Sequence, residues 1–357
     1  MDKAIGILAV SFVVAFLIVK VLNPIAFWAN LVDKPGGRKQ HEGLIPLIGG
    51  VAIYLSVFIT TLFFLEQPIF IRLFLTAGGL IVFMGMVDDR YDLSARFRLL
   101  GQILICGIFV YGLDVHIVSF GNLFGVGEVA VGIFGYPLAL LSLMGAMNAF
   151  NMLDGVDGLV GSVAMVTLVA LVGLFGLNGD ANFQLLCIAF IGATSAFLIF
   201  NIWGNPYKKR LKKVFMGDAG SMFLGLSIGV LLIKGSQAPN PAFSPITSLW
   251  LVLLPMTDMF TIMYRRIKRG RSPMTPDRTH IHHILMRSGL KKHQTLNVMV
   301  MIQVAFVGLG IVIVQQGLPE IVSFLVALAF VGAYQLLMKR SWRLMRWSKK
   351  RMALING

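Results

Sequence analysis

Four groups of carboxylates stand at the ends of apolar runs in this chain. They are Asp88-Asp89; Asp154 and Asp157, which with Asn148 and Asn151 recur at every third position; Asp218 within Gly217-Asp218-Ala219-Gly220-Ser221; and Asp258. An unpaired carboxylate is expensive in lipid-compatible helix, so acids placed this way need a cation, a polar ligand or water. Adjacent acids such as Asp88 and Asp89 can share a cation, or push their titrations apart so that one serves as a base. The blander alternative is a solvated helix end paired with Arg90, Arg96 and Arg98. From Asn148 to Gly158 the three-residue interval spreads polar groups over one broad helix face, and Gly155 and Gly158 predict that the chain unwinds there. Oxygen donors at such a break suit a hard cation that keeps several waters, as Mg²⁺ does beside phosphates. Two Asn and two Asp in ten residues exceed what a packing seam of small residues needs.

Cations accompany these acids. Lys212-Lys213-Val214-Phe215-Met216 leads into Gly217 and a new helix, whose first amides favour phosphate; Asp218 could equally be a plain N-cap. Phe215 can stack on a base or anchor the loop in lipid. Pro276-Asp277-Arg278-Thr279-His280-Ile281-His282-His283 sets three histidines beside Arg278, with Arg265 and Arg266 upstream. Zinc wants fixed ligand spacing and dry surroundings, so a positive clamp for an anionic substrate is the more natural reading. Asp258, two helical turns before Arg265, reads as a structural partner inside the membrane. Asp33 to Pro46, with Lys34, Arg38, Lys39 and His41, is either a solvated linker or a flap over the same pocket.

What must position these groups is almost entirely apolar helix. Of 357 residues, 57% are hydrophobic and 13% charged, against about 25% charged in soluble domains. The class is an all-α polytopic membrane protein. Eleven spans are predicted, at about 4–23, 46–65, 69–87, 98–113, 134–152, 158–177, 182–201, 218–235, 245–264, 295–315 and 319–337. Several are nearer 16 than the ~20 residues of an upright span, which predicts tilt. Alternate connections hold 27 of the 31 Lys and Arg: three in 24–45, three in 88–98, five in 202–217, nine in 265–294 and seven in 338–357. The positive-inside rule then puts these connections and the C-terminus in the cytoplasm, and the N-terminus outside. The net charge of +15 is thus a topology signal and no nucleic-acid footprint. On this map all four acidic groups and five of the six histidines reach one face.

Little else is suggested by the remaining chain. Cys106 and Cys187 lie inside apolar runs without metal-type spacing, so neither a disulfide nor a thiolate site is implied. The first apolar run, Ala4 to Leu22, is long enough to span and has no convincing cleavage site. On the outer side, His116 to Gly132 predicts a short β-hairpin. Residues 1–337 read as one integral membrane catalytic domain, and 338–357 as a basic amphipathic cytoplasmic tail lying on anionic lipid.

Between Asp33 and His283 the motifs Asp88-Asp89, Asn148–Gly158, Gly217-Asp218 and His280-x-His282-His283 follow one another in an order that resembles the polyprenyl-phosphate N-acetylhexosamine-1-phosphate transferases. Ile281 interrupts the uninterrupted His triplet of the peptidoglycan branch, so the similarity is to the WecA-type branch. The resemblance implies transfer of GlcNAc 1-phosphate from UDP-GlcNAc to undecaprenyl phosphate, with Mg²⁺ or Mn²⁺. The products would be UMP and undecaprenyl-diphosphate-GlcNAc, which begins O-antigen or enterobacterial common antigen assembly at the bacterial inner membrane. It further implies that Asp88 and Asp89 are catalytic and that Asp218 and Asn151 hold the metal. Phe215, Asp157 and Asp154 would then bind the nucleotide. Arg98, Arg265, Arg278, His280, His282 and His283 would bind phosphate and sugar. Implied partners are the donor, the lipid acceptor and membrane lipid; nucleic acid is not among them, and a homodimer is left open. Two other readings stand beside this one. The first keeps the reaction with another UDP-N-acetylhexosamine. The second is an ion-coupled anion transporter, which would carry its acids near mid-membrane and show an inverted repeat.

Overall fold

The computed structural model describes residues 2–35, 43–66, 68–208, 211–273 and 280–355, with side chains as far as residue 340. Thirteen helices follow one another: α1 (Asp2–Trp28), α2 (Gly49–Phe64), α3 (Ile69–Tyr91), α4 (Ala95–Gly107), α5 (Gly135–Leu153), α6 (Leu159–Leu177), α7 (Ala181–Ile202), α8 (Gly217–Gln237), α9 (Pro245–Leu251), α10 (Leu253–Lys268), α11 (Ile281–Arg287), α12 (Lys292–Gln315) and α13 (Glu320–Ile355). Among the described residues nine segments are long and apolar enough to cross a membrane. The bent pair α9–α10 passes as one more, and α2 is a shorter apolar helix. These account for the eleven expected spans, with α4 lengthened by a π-helical turn at Ile108–Gly112. The protein is a multi-pass membrane protein.

Helix α8 is the centre. Every one of its residues is buried except Asp218, Lys234 and Gln237, and it packs against α2, α3, α5, α6 and α9. In lipid, helices gain little from hiding apolar surface, so small residues that admit close backbone contact decide the packing. At the start of α8 a Cβ on Gly50 would fall 2.2 Å from the Gly220 nitrogen, and one on Gly85 would fall 2.3 Å from the Ala219 Cα. Those two glycines let α2 and α3 clasp the end of α8 that carries Asp218.

The segment read as one span at 245–264 is broken. α9 and α10 meet at 74°, four residues before a proline would otherwise close the turn: Pro255 has no N–H for the Leu251 carbonyl. Thr167 Oγ1 of α6 and Gln303 Nε2 of α12 each donate to that carbonyl at 2.8 Å. The freed backbone group is re-satisfied by side chains, as a break at this depth requires.

Sheet content differs from expectation. The outer loop folds back as an irregular hairpin without regular strands. Beside the antiparallel Ser119–Ala130 bridge, Phe120 N–H donates to the Val129 carbonyl at 3.0 Å and Val131 N–H to the Val118 carbonyl at 2.9 Å, while Gly121 at positive φ interrupts the ladder. A small sheet forms instead at the opposite end, where β1 (Val32–Asp33) pairs antiparallel with β2 (Ile45–Pro46). Phe215 N–H donates to the Pro46 carbonyl at 2.9 Å, and Gly49 N–H to the Phe215 carbonyl at 2.9 Å. The approach to α8 is thereby stitched to the segment before α2. Helix α13 continues unbroken through 338 to Ile355.

Candidate active site

The site assembles where α3, α5 and α8 end or begin together. Gly217 opens α8 at φ +72, where a Cβ would lie 2.4 Å from Asp89 Oδ2; glycine is required on both counts. Asp89 Oδ1 accepts from Asp218 N–H at 2.9 Å and Oδ2 from Ala219 N–H at 3.4 Å. Both its oxygens therefore cap the first turn of α8, across helices, at the end where the dipole favours an anion.

Asp88 points the other way. It is 4% exposed; its Oδ1 accepts from Leu93 N–H at 2.9 Å and its Oδ2 from Arg98 Nη1 at 3.1 Å. The same Arg98 nitrogen lies 3.6 Å from Asp218 Oδ2, so one guanidinium bridges two acids from different helices. Asn151 Nδ2 donates to Asp218 Oδ1 at 2.8 Å and to Ser221 Oγ at 3.0 Å. Its own Oδ1 stays available beside a half-exposed carboxylate. These donors are all oxygen, with no thiolate or imidazole among them, which is the chemistry of a hard cation.

Beyond Asn151 helix α5 ends as predicted, and Gly158 takes φ +80. Asp154 is exposed at the mouth of this turn, with protein atoms crowded against its inner side. The resulting desolvation first, then the charges of Asp218, Asp157 and Asp33, push its carboxyl up to about 7. Asp157 Oδ2 pairs with Lys213 Nζ at 2.7 Å, and Lys213 lies 5.9 Å from the Phe215 ring centre. A cation, an aromatic face and a carboxylate are thus grouped just before α8.

The histidine segment joins the same basin. A Cβ on Gly155 would lie 2.1 Å from His282 Nε2, so only glycine lets that ring rest on the α5–α6 turn. His282 is 1% exposed; burial, then the neighbouring His283 and His280, push its pKa down to about 3. It is a neutral wedge. His280 Nδ1 meets Asp258 Oδ2 at 2.7 Å, and the His283 ring leans on His282 at 51°, with ring centres 4.3 Å apart. Asp258 is the structural partner its sequence position suggested. Arg265 is half-buried on α10, and Arg266 donates to the Pro273 carbonyl at 2.6 Å. Arg278 lies outside the described residues, as do Arg38, Lys39 and His41.

Some functional groups escaped the sequence reading. Asn201, 4% exposed at the end of α7, accepts from Gly158 N–H with its Oδ1 and donates from Nδ2 to the Val214 carbonyl at 2.8 Å. It ties the acidic turn to the segment before α8. Like the four acidic groups, it is a polar residue closing an apolar run, and that signal could have found it. Gln102 Oε1, which accepts from Asn148 Nδ2 at 2.9 Å, carried no such mark.

Comparison with known proteins decides what these contacts belong to. Residues 70–236 match the model of glycosyl transferase family 4. Three bacterial enzymes named undecaprenyl-phosphate alpha-N-acetylglucosaminyl 1-phosphate transferase are similar along nearly their whole length. The one from Yersinia pestis is 36% identical over 95% of this chain and 92% of its own. That from Salmonella typhi is 35% identical over the same shares; that from Haemophilus influenzae is 32% identical over 96% of each. The chain belongs to glycosyl transferase family 4. It is a sugar-phosphate transferase, and the stretch matched to the family runs from the start of α3 to the end of α8. The Asp88–Arg98–Asp218–Asn151 cluster falls wholly inside that stretch. The Asp258 and His280 group lies beyond it, on α10 and α11.

Proposed function

We propose that the protein transfers GlcNAc 1-phosphate from UDP-GlcNAc to undecaprenyl phosphate, yielding undecaprenyl-diphosphate-GlcNAc and UMP. The reaction takes place at the cytoplasmic face of the bacterial inner membrane and starts O-antigen or enterobacterial common antigen assembly. One observation carries the reading: Arg98 joins Asp88 to Asp218 while Asn151 holds the other Asp218 oxygen, within a chain related throughout to enzymes of that name.

Phosphoryl transfer asks for in-line placement and charge neutralisation more than covalent help. Asp218 and Asn151 are the residues that would hold Mg²⁺ or Mn²⁺. When bound, such an ion supplies Lewis acidity and neutralises the diphosphate. Arg98 keeps the two acids from repelling each other, and its planar guanidinium suits phosphate oxygens. Lys213, Phe215 and Asp157 receive the uracil, with Phe215 against its face. Asp88 takes any residual proton from the acceptor phosphate. An oxygen of the lipid phosphate bonds to the sugar-bearing phosphorus, and the bond from that phosphorus to the UMP oxygen breaks. Asp89, with both oxygens on the α8 amides, positions Asp218 and stays out of the chemistry. His280, His283, Arg265 and Arg278 receive the sugar phosphate.

The test is UMP release by detergent-solubilised protein given UDP-GlcNAc, undecaprenyl phosphate and Mg²⁺. Release that needs both the lipid and the metal supports the proposal; no release overturns it. Competing UDP-N-acetylhexosamines in the same assay fix the sugar. Labelled sugar phosphate trapped on the protein without lipid would overturn direct attack.

A further inference from the structure

Asp258 is 1% exposed on α10, and it receives three donors. His280 Nδ1 lies 2.7 Å from its Oδ2; its Oδ1 accepts from the Tyr334 hydroxyl and, at 3.2 Å, from the Ile281 N–H. A carboxylate can only accept, so its contact with the ring requires the proton on Nδ1. Tyr334 is 8% exposed and comes from α13, far from the stretch matched to the family. With Nδ1 committed, Nε2 is the nitrogen left for a ligand. The ring stacks at 14° on His282, which rests on the acidic turn at Gly155.

We propose that Asp258 and Tyr334 are positioning residues that fix the proton of His280 on Nδ1 and so present a bare Nε2 as an acceptor to a hydroxyl of the donor's sugar. A carboxylate behind an imidazole sets both its tautomer and its orientation. Tyr334 and Ile281 N–H in turn prevent Asp258 from rotating, because both its Oδ1 lone-pair directions are taken. The geometry also predicts what an amide would do at this position. An Asn at 258 must keep its oxygen toward Tyr334 and Ile281, which turns its NH₂ toward His280 and forces the ring proton to Nε2. The inference rests on the transfer reaction proposed above for its kinetic consequences, though not for the tautomer itself.

Two measurements test it. Long-range ¹H–¹⁵N spectra of histidine-labelled protein in detergent read the tautomer without any turnover. His280 is expected protonated at Nδ1 in the wild type and at Nε2 in Asp258→Asn; a wild-type proton on Nε2 overturns the proposal whatever the enzyme's activity. In the UMP assay, Asp258→Asn is expected to lower kcat about 100-fold while KM for UDP-GlcNAc moves less than about three-fold. The same change in a His280→Ala background costs nothing further, since its effect passes through that ring. Tyr334→Phe keeps the carboxylate and the packing, so it serves if Asp258→Asn does not fold; it is expected to lower kcat about three- to ten-fold, again only when His280 is present. Equal losses with and without His280 would make both residues mere braces between α10, α11 and α13, and would overturn the proposal.

Discussion

At the scale of single residues, charge placement distinguishes four acids that the sequence presents alike. Asp88 faces Arg98, Asp89 caps α8, Asp218 sits between Arg98 and Asn151, and Asp154 opens to the mouth. Asp88→Asn and Asp218→Asn are each expected to lower UMP release by about 10²–10⁴-fold while the protein still inserts and folds, as judged by size-exclusion profile and melting temperature. Near-normal rates in both would remove them from the chemistry. Asp89→Asn should differ, lowering the melting temperature along with the rate, because an amide cannot accept two backbone bonds through both its polar atoms. Asp154 adds a pH signature. Its carboxyl, raised from 3.8 to about 7, holds its proton in the folded protein at pH values where an unfolded chain has lost it. Ionising it as pH rises from about 4 to about 7 therefore works against the metal-free fold. The loss of thermal stability between pH 4 and 7 should be smaller in Asp154→Asn than in the wild type; equal pH profiles would deny the shift.

At the scale of elements, the break between α9 and α10 depends on two side chains from other helices. Removing one leaves the Leu251 carbonyl with the other; removing both strands a buried acceptor, at a cost of about 1–3 kcal/mol. Thr167→Val with Gln303→Leu should therefore lower the melting temperature more than the two single changes together, and additive effects would deny the shared carbonyl. The break was not legible beforehand. Pro255 was visible in the chain, but a proline only permits a bend, and the partners that stabilise it come from 84 and 52 residues away. The ends of the helices were far easier to read, because apolar composition stops abruptly where Asp88, Asn151 and Asp218 begin. The same rule would have recovered Asn201. Pairs such as Lys213–Asp157 and Tyr334–Asp258 leave no periodic trace, since they join separate helices and obey no local spacing. The hairpin expected near His116–Gly132 forms without regular strands for a local reason: β-branched residues favour extended chain, and the intervening glycines with positive φ interrupt a regular ladder.

At the scale of the whole molecule, the distribution of Lys and Arg predicts that the active face is cytoplasmic. A fluorescent protein fused after Gly357 should therefore glow, and alkaline phosphatase in the same place should be inactive; the opposite pair of results would put the site outside and defeat the use of a cytoplasmic nucleotide sugar. The surroundings of α8 have a consequence for how such an enzyme meets its bilayer. In its most apolar stretch α8 is 94% buried, whereas α1 is 22%, α12 28% and the spanning part of α13 17% buried. Acyl chains thus press on an outer rim of helices, and the one that carries Asp218 never touches them. Changes of thickness, fluidity and tension in the surrounding lipid should then be taken up by tilting at the periphery, leaving the corner around Asp218 its shape in membranes of very different make-up.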